Sequence, residues 1–336
     1  RVWREWQFQE RNGDLGLVHV TMLTWWVPAV LTWVLYMLVD NDGLFASGST
    51  VVTWTATTWW WTFDYNLTNG SYITFATNGV LTYAPWGVTH DVWLWYRADA
   101  LTSTTWAWSA VSSWGDASLY DRTAAQPVTG ERPLYRTTSM NFNPWLEFDG
   151  IDDMIAYSDV GLNEWDTSRS TFVVNYASHT WNAWESPFGF GNDASPEAWG
   201  IVRLDELYWT YIWASIYYDD YVVSPFIPAI QYGWYDGAQW VEAATNGSFI
   251  TSGSSGGPIN TVLVSTWYVG RATDGPWFPE FWSGHISEVL HYTTKLSANE
   301  TQRVNSYLAT KYGITLDQSV PQDYLSSYST VYWSGI

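Results

Sequence analysis

The chain has 336 residues and no cysteine, and its 13 Lys and Arg stand against 33 Asp and Glu, for a formal net charge of -20. This length holds one large or two ordinary domains with a real core, and the missing cysteines exclude disulfides and thiolate metal sites. The acidic field repels phosphate backbones and anionic lipid, so nucleic acid is excluded as an expected partner.

Twenty-eight Trp are several times ordinary usage, and some fall where a turn or a polar strand face is expected, as at Trp54, Trp106, Trp108 and Trp181. Two readings of this excess stand side by side. One is an aromatic surface that stacks on sugar rings. The other is that some Trp letters stand where the gene encodes other residues. The chain opens at Arg1 without an initiator Met or a secretory leader, so the sequence bears on export only indirectly.

Residues 1–85 read as short strands. Gly16–Met22, Trp33–Val39, Ser49–Trp54 and Ser71–Ala76 are separated by Asn12-Gly13-Asp14, Asp40-Asn41-Asp42-Gly43 and Asn69-Gly70. The expectation is a small β-sandwich. Met22–Val39 carries no charge over 18 residues, but Pro28 and the β-branched and aromatic residues favour two strands over a membrane helix.

Pro85-Trp86-Gly87 breaks the pattern, and a longer β-rich segment follows. Its strand candidates are Asp91–Tyr96, Trp145–Phe148, Ser170–Tyr176, Thr261–Val269 and His285–Tyr292, which fit two packed antiparallel sheets of jelly-roll type. One helix is expected over Ala298–Tyr312. Ser297 caps it, Glu300 completes a capping box, Val304, Leu308 and Tyr312 make one apolar face, and Gly313 ends it. The stretch 317–336 has strand-like residues without an evident partner and reads as a linker or the start of a following module.

Clustered carboxylates are the first candidate sites. Asp40 and Asp42 in one turn, and Asp149, Asp152 and Asp153 in another, offer hard oxygen ligands suited to a structural calcium, although such turns often only satisfy their own backbone. Glu147-Phe-Asp149-Gly-Ile-Asp152 superficially resembles the carboxylate pattern of sandwich-fold glycoside hydrolases, but Gly150 interrupts the strand and a turn is the simpler reading. The five histidines do not group as zinc ligands. Gly253-Ser-Ser-Gly-Gly257 is neither a nucleophile elbow nor a phosphate loop, so no catalytic residue is assigned. In the loop-rich middle, Trp181, Trp184, Trp199 and Trp234 are the candidates for stacking on a glycan.

Several stretches carry a family resemblance. They are Val92-Trp-Leu-Trp-Tyr-Arg-Ala-Asp-Ala100, Asn141-Phe-Asn-Pro-Trp-Leu-Glu-Phe-Asp-Gly-Ile-Asp-Asp153, Ser186-Pro-Phe-Gly-Phe-Gly-Asn-Asp-Ala194 and Gly284-His-Ile-Ser-Glu-Val-Leu-His-Tyr292, running on into Ser306-Tyr-Leu-Ala-Thr-Lys-Tyr-Gly-Ile-Thr-Leu316. Together they resemble the concanavalin A-like (laminin-G-like) sandwich module of large Bacteroidetes cell-surface and adhesin repeat proteins. Arg1-Val-Trp-Arg4 and Asn69-Gly-Ser-Tyr-Ile-Thr-Phe-Ala76 are similar to a module found beside it. The likeness thins over residues 20–35, 54–62 and 205–240. The resemblance implies an exported, cell-surface, non-enzymatic repeat unit that binds a surface glycan or neighbouring modules of the same long chain, with the type IX secretion machinery as exporter. The alternative is a spacer without a ligand, and a glycoside hydrolase is a third reading. The resulting expectation is an all-β chain: a small β-sandwich (1–85), then a concanavalin A-like jelly-roll sandwich (86–316) with one C-terminal amphipathic helix.

Overall fold

The computed structural model describes the strands 6–7, 16–23, 35–40, 50–52, 55–56, 60–67 and 72–77 of the N-terminal region. Beyond these it describes residues 84–120, 122–157, 165–178, 185–192, 197–204, 207–212, 215–218, 226–248, 251–255, 257–262, 267–271 and 281–335. The chain divides into two compact units, Arg1–Leu81 and Thr82–Ile336. The boundary falls four residues before the one read from the sequence.

The first unit contains β1 (Trp6–Gln7), β2 (Gly16–Leu23), β3 (Leu35–Asp40), β4 (Thr50–Val52), β5 (Thr55–Ala56), β6 (Trp60–Leu67) and β7 (Tyr72–Thr77). They form two antiparallel sheets, β1-β7-β3-β4 and β2-β6-β5. β6 shows the period of two that a half-buried strand requires: Phe63 and Leu67 are buried while Asp64 and Asn66 between them are exposed.

The second unit opens with β8 (Val92–Arg97), β9 (Ser113–Trp114), β10 (Ala124–Ala125), β11 (Leu134–Met140), β12 (Asn143–Asp149) and β13 (Ile155–Tyr157). It continues through β14 (Arg169–Ala177), β15 (Glu185–Gly191), β16 (Ala198–Leu204), β17 (Leu207–Ile212), β18 (Ser215–Tyr218), β19 (Ala229–Tyr235), β20 (Trp240–Thr245) and β21 (Thr251–Ser254). It closes with β22 (Trp267–Val269), β23 (Ser283–Tyr292), α1 (Ala298–Tyr312), β24 (Tyr324–Leu325) and β25 (Val331–Trp333).

Two large antiparallel sheets result. One runs β11-β12-β23-β14-β19-β20-β21, with β8 also paired to β23, and the other runs β18-β17-β16-β15-β22-β13-β10-β9. The fold is all-β with a single helix among the described residues, as the sequence leads one to expect.

The core has two layers. Leu146, Phe148, Val173, Ile286 and Val289 of the first sheet share one apolar cluster with Tyr157, Phe188, Phe190, Trp199, Ile201 and Val269 of the second. The alternate residues of the first sheet, among them Trp95, Phe172, Val174, Tyr232 and Leu290, form a second cluster with Val304, Leu308 and Tyr312 of α1. The helix therefore covers the outer face of the first sheet, and full burial of such side chains contributes roughly 1.5–3 kcal/mol apiece. With both faces covered, β14 and β23 are buried almost throughout and show no alternation.

The helix begins and ends as its local sequence dictates. Ser297 and Glu300 form the reciprocal capping box, and Gly313 takes the left-handed conformation (φ 67°, ψ 29°) that closes the C-terminus. Residues 317–335 are hydrogen-bonded into the second unit. Asp317 N–H donates to Asn246 O (2.8 Å), Gln322 Nε2 to Gly247 O (2.6 Å) and Leu325 N–H to Ser306 Oγ (2.9 Å), and β24 and β25 pair with each other. Of the expected strand over Thr261–Val269, β22 covers the end and Thr261 makes an isolated bridge to Trp165, while residues 263–266 lie outside the described residues.

Candidate functional site

Period two along β12 places Trp145 and Glu147 on the same face of the first sheet. Strand pairing then brings two more polar groups to them. Arg136 of β11 lies opposite Trp145, and His285 of β23 lies opposite Glu147. Arg136 Nε donates to Glu147 Oε2, and His285 Nε2 lies 3.5 Å from the same oxygen. The His285 ring is packed by Trp145, with centroids 4.6 Å apart, and by Tyr176 of β14, at 4.2 Å.

A loop folds over this floor. Trp108 has a left-handed backbone (φ 68°), its N–H donates to Tyr135 O (2.8 Å), and Tyr135 N–H donates to Ser109 O (2.9 Å). So held, its indole lies on Arg136, whose guanidinium carbon is 3.0 Å from the ring centroid. Trp106 and Trp108 remain 79% and 70% exposed, which is unusual for the largest apolar side chain. Ala107, Trp108, Arg136, Thr137, Trp145 and Glu147 line a cleft of about 280 Å³.

The electrostatics of the floor follow from these contacts. Burial raises the Glu147 carboxyl, but the Arg136 hydrogen bond and His285 outweigh it and hold the group below its ordinary range. Burial pushes His285 down to about 4 against the pull of Glu147, so the imidazole is neutral near pH 7. Among the described residues, Arg136 Nη1, Trp145 Nε1 and His285 Nδ1 are buried without a hydrogen-bond partner. The cleft thus combines open indole, one internally neutralised ion pair and spare polar groups. That combination suits reversible recognition of a polar, ring-shaped ligand.

The residues expected from sequence fall differently. Trp181, Trp184 and Asp42 lie outside the described residues, as does the side chain of Asp40. Trp199 is a core residue, fully buried, with Nε1 donating to Thr171 Oγ1 (3.0 Å), so its ring offers no face to a glycan. Trp234 is also nearly buried, with Lys295 Nζ 3.3 Å from its ring centroid. The stacking role expected of these two is corrected to packing: Trp199 faces the core between the two sheets and Trp234 joins the apolar layer that includes α1.

Asp149, Asp152 and Asp153 do converge, with one carboxylate oxygen from each within 4.8 Å of the others. Asp149 Oδ1 accepts from the N–H groups of Ile151, Asp152 and Asp153, and Asp153 Oδ2 accepts from Asp149 N–H. Burial and the Asp149 charge push the Asp153 carboxyl up to about 7. The oxygen donors suit a hard cation, and the same bonds close the turn that Gly150 (φ 76°) initiates. Of the hydrolase-like carboxylates, Glu147 is thus engaged by Arg136 and Asp149 by the turn.

Sequence reasoning missed Arg136, Trp145 and His285 as site residues, because only the strand register brings them to Glu147. The available signal was Trp145-x-Glu147, an aromatic and an acid on one face of a strand.

Among protein families, residues 300–336 match one described as a domain of unknown function, DUF8202. No curated protein matches the chain. Among solved structures, a Trypanosoma rangeli sialidase is similar over 68% of this chain and 34% of its own, at 12% identity and a TM-score of 0.45. The chain thus spans about a third of that sialidase. Domain 4 of a GH43 extracellular arabinanase from Geobacillus stearothermophilus, in complex with arabinotriose, is similar over 64% of this chain and 97% of its own, at 15% identity and a TM-score of 0.45. The Ruminococcus gnavus IT-sialidase CBM40 is similar over 40% and 80%, at 13% identity and a TM-score of 0.35. Likenesses of this strength carry nothing about activity. No helix among the described residues is long and apolar enough to cross a membrane.

Proposed function

We propose that the second unit is a non-enzymatic glycan-binding module of an exported bacterial surface protein, with the cleft beneath Trp108 as its binding site. One observation carries the reading. An exposed indole is fixed over an ion-paired arginine in a cleft that also offers Trp145, Thr137 and Glu147. A rigid aromatic face supplies apolar contact at little entropic cost, and the polar floor supplies direction. The concanavalin A-like adhesin resemblance, cell-surface location and type IX export belong to the same proposal and rest on the sequence motifs.

The test is binding of the purified chain to an oligosaccharide array, followed by calorimetry on the retained glycans. Retention that falls at least tenfold in Trp108→Ala, with an unchanged melting temperature, supports the reading. Retention of no glycan, or retention indifferent to Trp108→Ala, sinks it and leaves the spacer reading. Turnover of a bound glycan would make the unit an enzyme.

A further inference from the structure

The charge balance of the cleft selects between classes of sugar, and this inference rests on the glycan-binding reading above. We infer that the cleft takes a neutral sugar residue through adjacent hydroxyl groups and rejects an acidic one.

An arginine in a binding cleft ordinarily attracts carboxylate or sulfate. Here Arg136 Nε donates to Glu147, and the side chain is only 12% exposed. The partner carboxylate is 33% exposed and is the open acidic group of the floor. An incoming carboxylate, which only accepts hydrogen bonds, would meet the exposed Glu147 carboxylate and an arginine whose charge Glu147 already balances. The neutral imidazole of His285 supplies no compensating charge near pH 7. Lys311, Arg97 and Asp99 belong to a separate network beneath the helix, where Lys311 Nζ is 3.0 Å from Asp99 and 2.7 Å from Glu288. The net charge of -20 adds a long-range repulsion of anions.

A pair of hydroxyl groups matches the floor instead, because each both donates and accepts. One donates to Glu147. Another accepts from the Arg136 guanidinium, which lines the cleft and gives its Nε to Glu147. Trp108 supplies the apolar wall above. At about 280 Å³ the cleft lies at the small end of ligand sites, which suits one sugar ring rather than an extended chain.

The experiment compares matched ligands that differ in charge: sialyllactose methyl ester with sialyllactose, and carboxyl-reduced uronic-acid oligosaccharides with their parent forms. Affinities are measured by calorimetry at low and high ionic strength. The wild-type chain is expected to bind the neutral member of each pair at least tenfold more tightly, with little dependence on salt. Glu147→Gln frees the Arg136 charge. It is expected to weaken the neutral ligand several-fold and to strengthen the acidic one, now with clear salt dependence. Circular dichroism and thermal melts establish that the variant is folded. Should Glu147→Gln not fold, the salt series on the wild-type chain alone decides. An acidic member that binds the wild type as tightly as its neutral partner overturns this inference and leaves glycan binding standing. Binding of neither member, with none retained on the array, overturns both.

Discussion

The Lys311 ammonium of α1 reaches Glu288 Oε2 of β23 at 2.7 Å, and so joins the helix to the sheet through a fully buried carboxylate. Trp95 Nε1 donates to the other oxygen at 2.5 Å and Tyr312 OH donates to Oε2 at 2.7 Å. Asp99 enters from the other side of Lys311. Burial works to raise its carboxyl, but Lys311 and Arg97 overcome this and hold it at about 2. Three polar side chains, Lys311 and Tyr312 of α1 and Trp95 of β8, thus converge on one acid beneath the helix.

Removing that acid strands the groups around it. Glu288→Ala is expected to cost about 3–5 kcal/mol. In a unit of this size that lowers the melting temperature by roughly 10 °C. Glu288→Gln, which keeps the acceptor oxygen, is expected to cost less. Calorimetric melts of the two variants check the order, and equal losses would mean that packing rather than charge holds the helix down.

Acid is expected to weaken the fold through its buried histidines. His285 takes a proton near 6.5 in the unfolded chain but only near 4 in the fold, and burial keeps His291 well below its ordinary value too. Between those limits the unfolded chain binds more protons, so these groups make stability fall as pH drops from about 6.5 toward 4. Urea melts of wild type and His285→Gln across that range should diverge by roughly 1–2 kcal/mol. Parallel curves would show that His285 does not contribute.

Asp153 acts in the opposite sense. Its carboxyl is raised to about 7, so the fold holds a proton that the unfolded chain releases near 4, and stability falls as pH rises between those values. Asp153→Asn keeps an acceptor for Asp149 N–H and removes the charge. It is expected to gain roughly 1–3 kcal/mol at pH 8 and nothing below pH 4. Calcium tests the same cluster. If Asp149, Asp152 and Asp153 hold the cation, millimolar calcium raises the melting temperature of the wild type and not of the variant. An unmoved wild type ends the calcium reading of this turn.

The tryptophan content makes a chemical prediction. Trp114, Trp199 and Trp282 are fully buried, and Trp199 and Trp114 donate hydrogen bonds from Nε1 to Thr171 Oγ1 and Arg97 O. Peptide mass spectrometry is expected to find Trp at these positions and at Trp106 and Trp108. A smaller residue at position 108 would remove the wall of the cleft and the proposal built on it.

How much of this was legible depended on distance along the chain. The helix was readable to its ends because Ser297, Glu300 and Gly313 act on their own neighbours. The strands over 92–97, 143–149, 169–177 and 283–292 were readable from their apolar and β-branched content. Their faces were not, since β14 and β23 are covered on both sides and lose the alternation that distinguishes inside from outside. Trp199 and Trp234 read as surface candidates and proved to be packed, one between the sheets and the other in the layer that includes α1. The site was half legible: Trp145 and Glu147 share a face by local geometry, but Arg136 and His285 join them through register, which no short window of sequence encodes.

The position of β23 also sets the order of assembly. Along one edge it pairs with β14, and along the other with β12 and β8 in succession. Residues 92–97, 143–149 and 169–177 therefore wait for a strand that ends at Tyr292. A nascent chain cannot close its first sheet until residues up to Tyr292 have been made, and contacts of such long range fold slowly. The amides of β23 are expected to be the last to exchange with solvent once the sheet has formed.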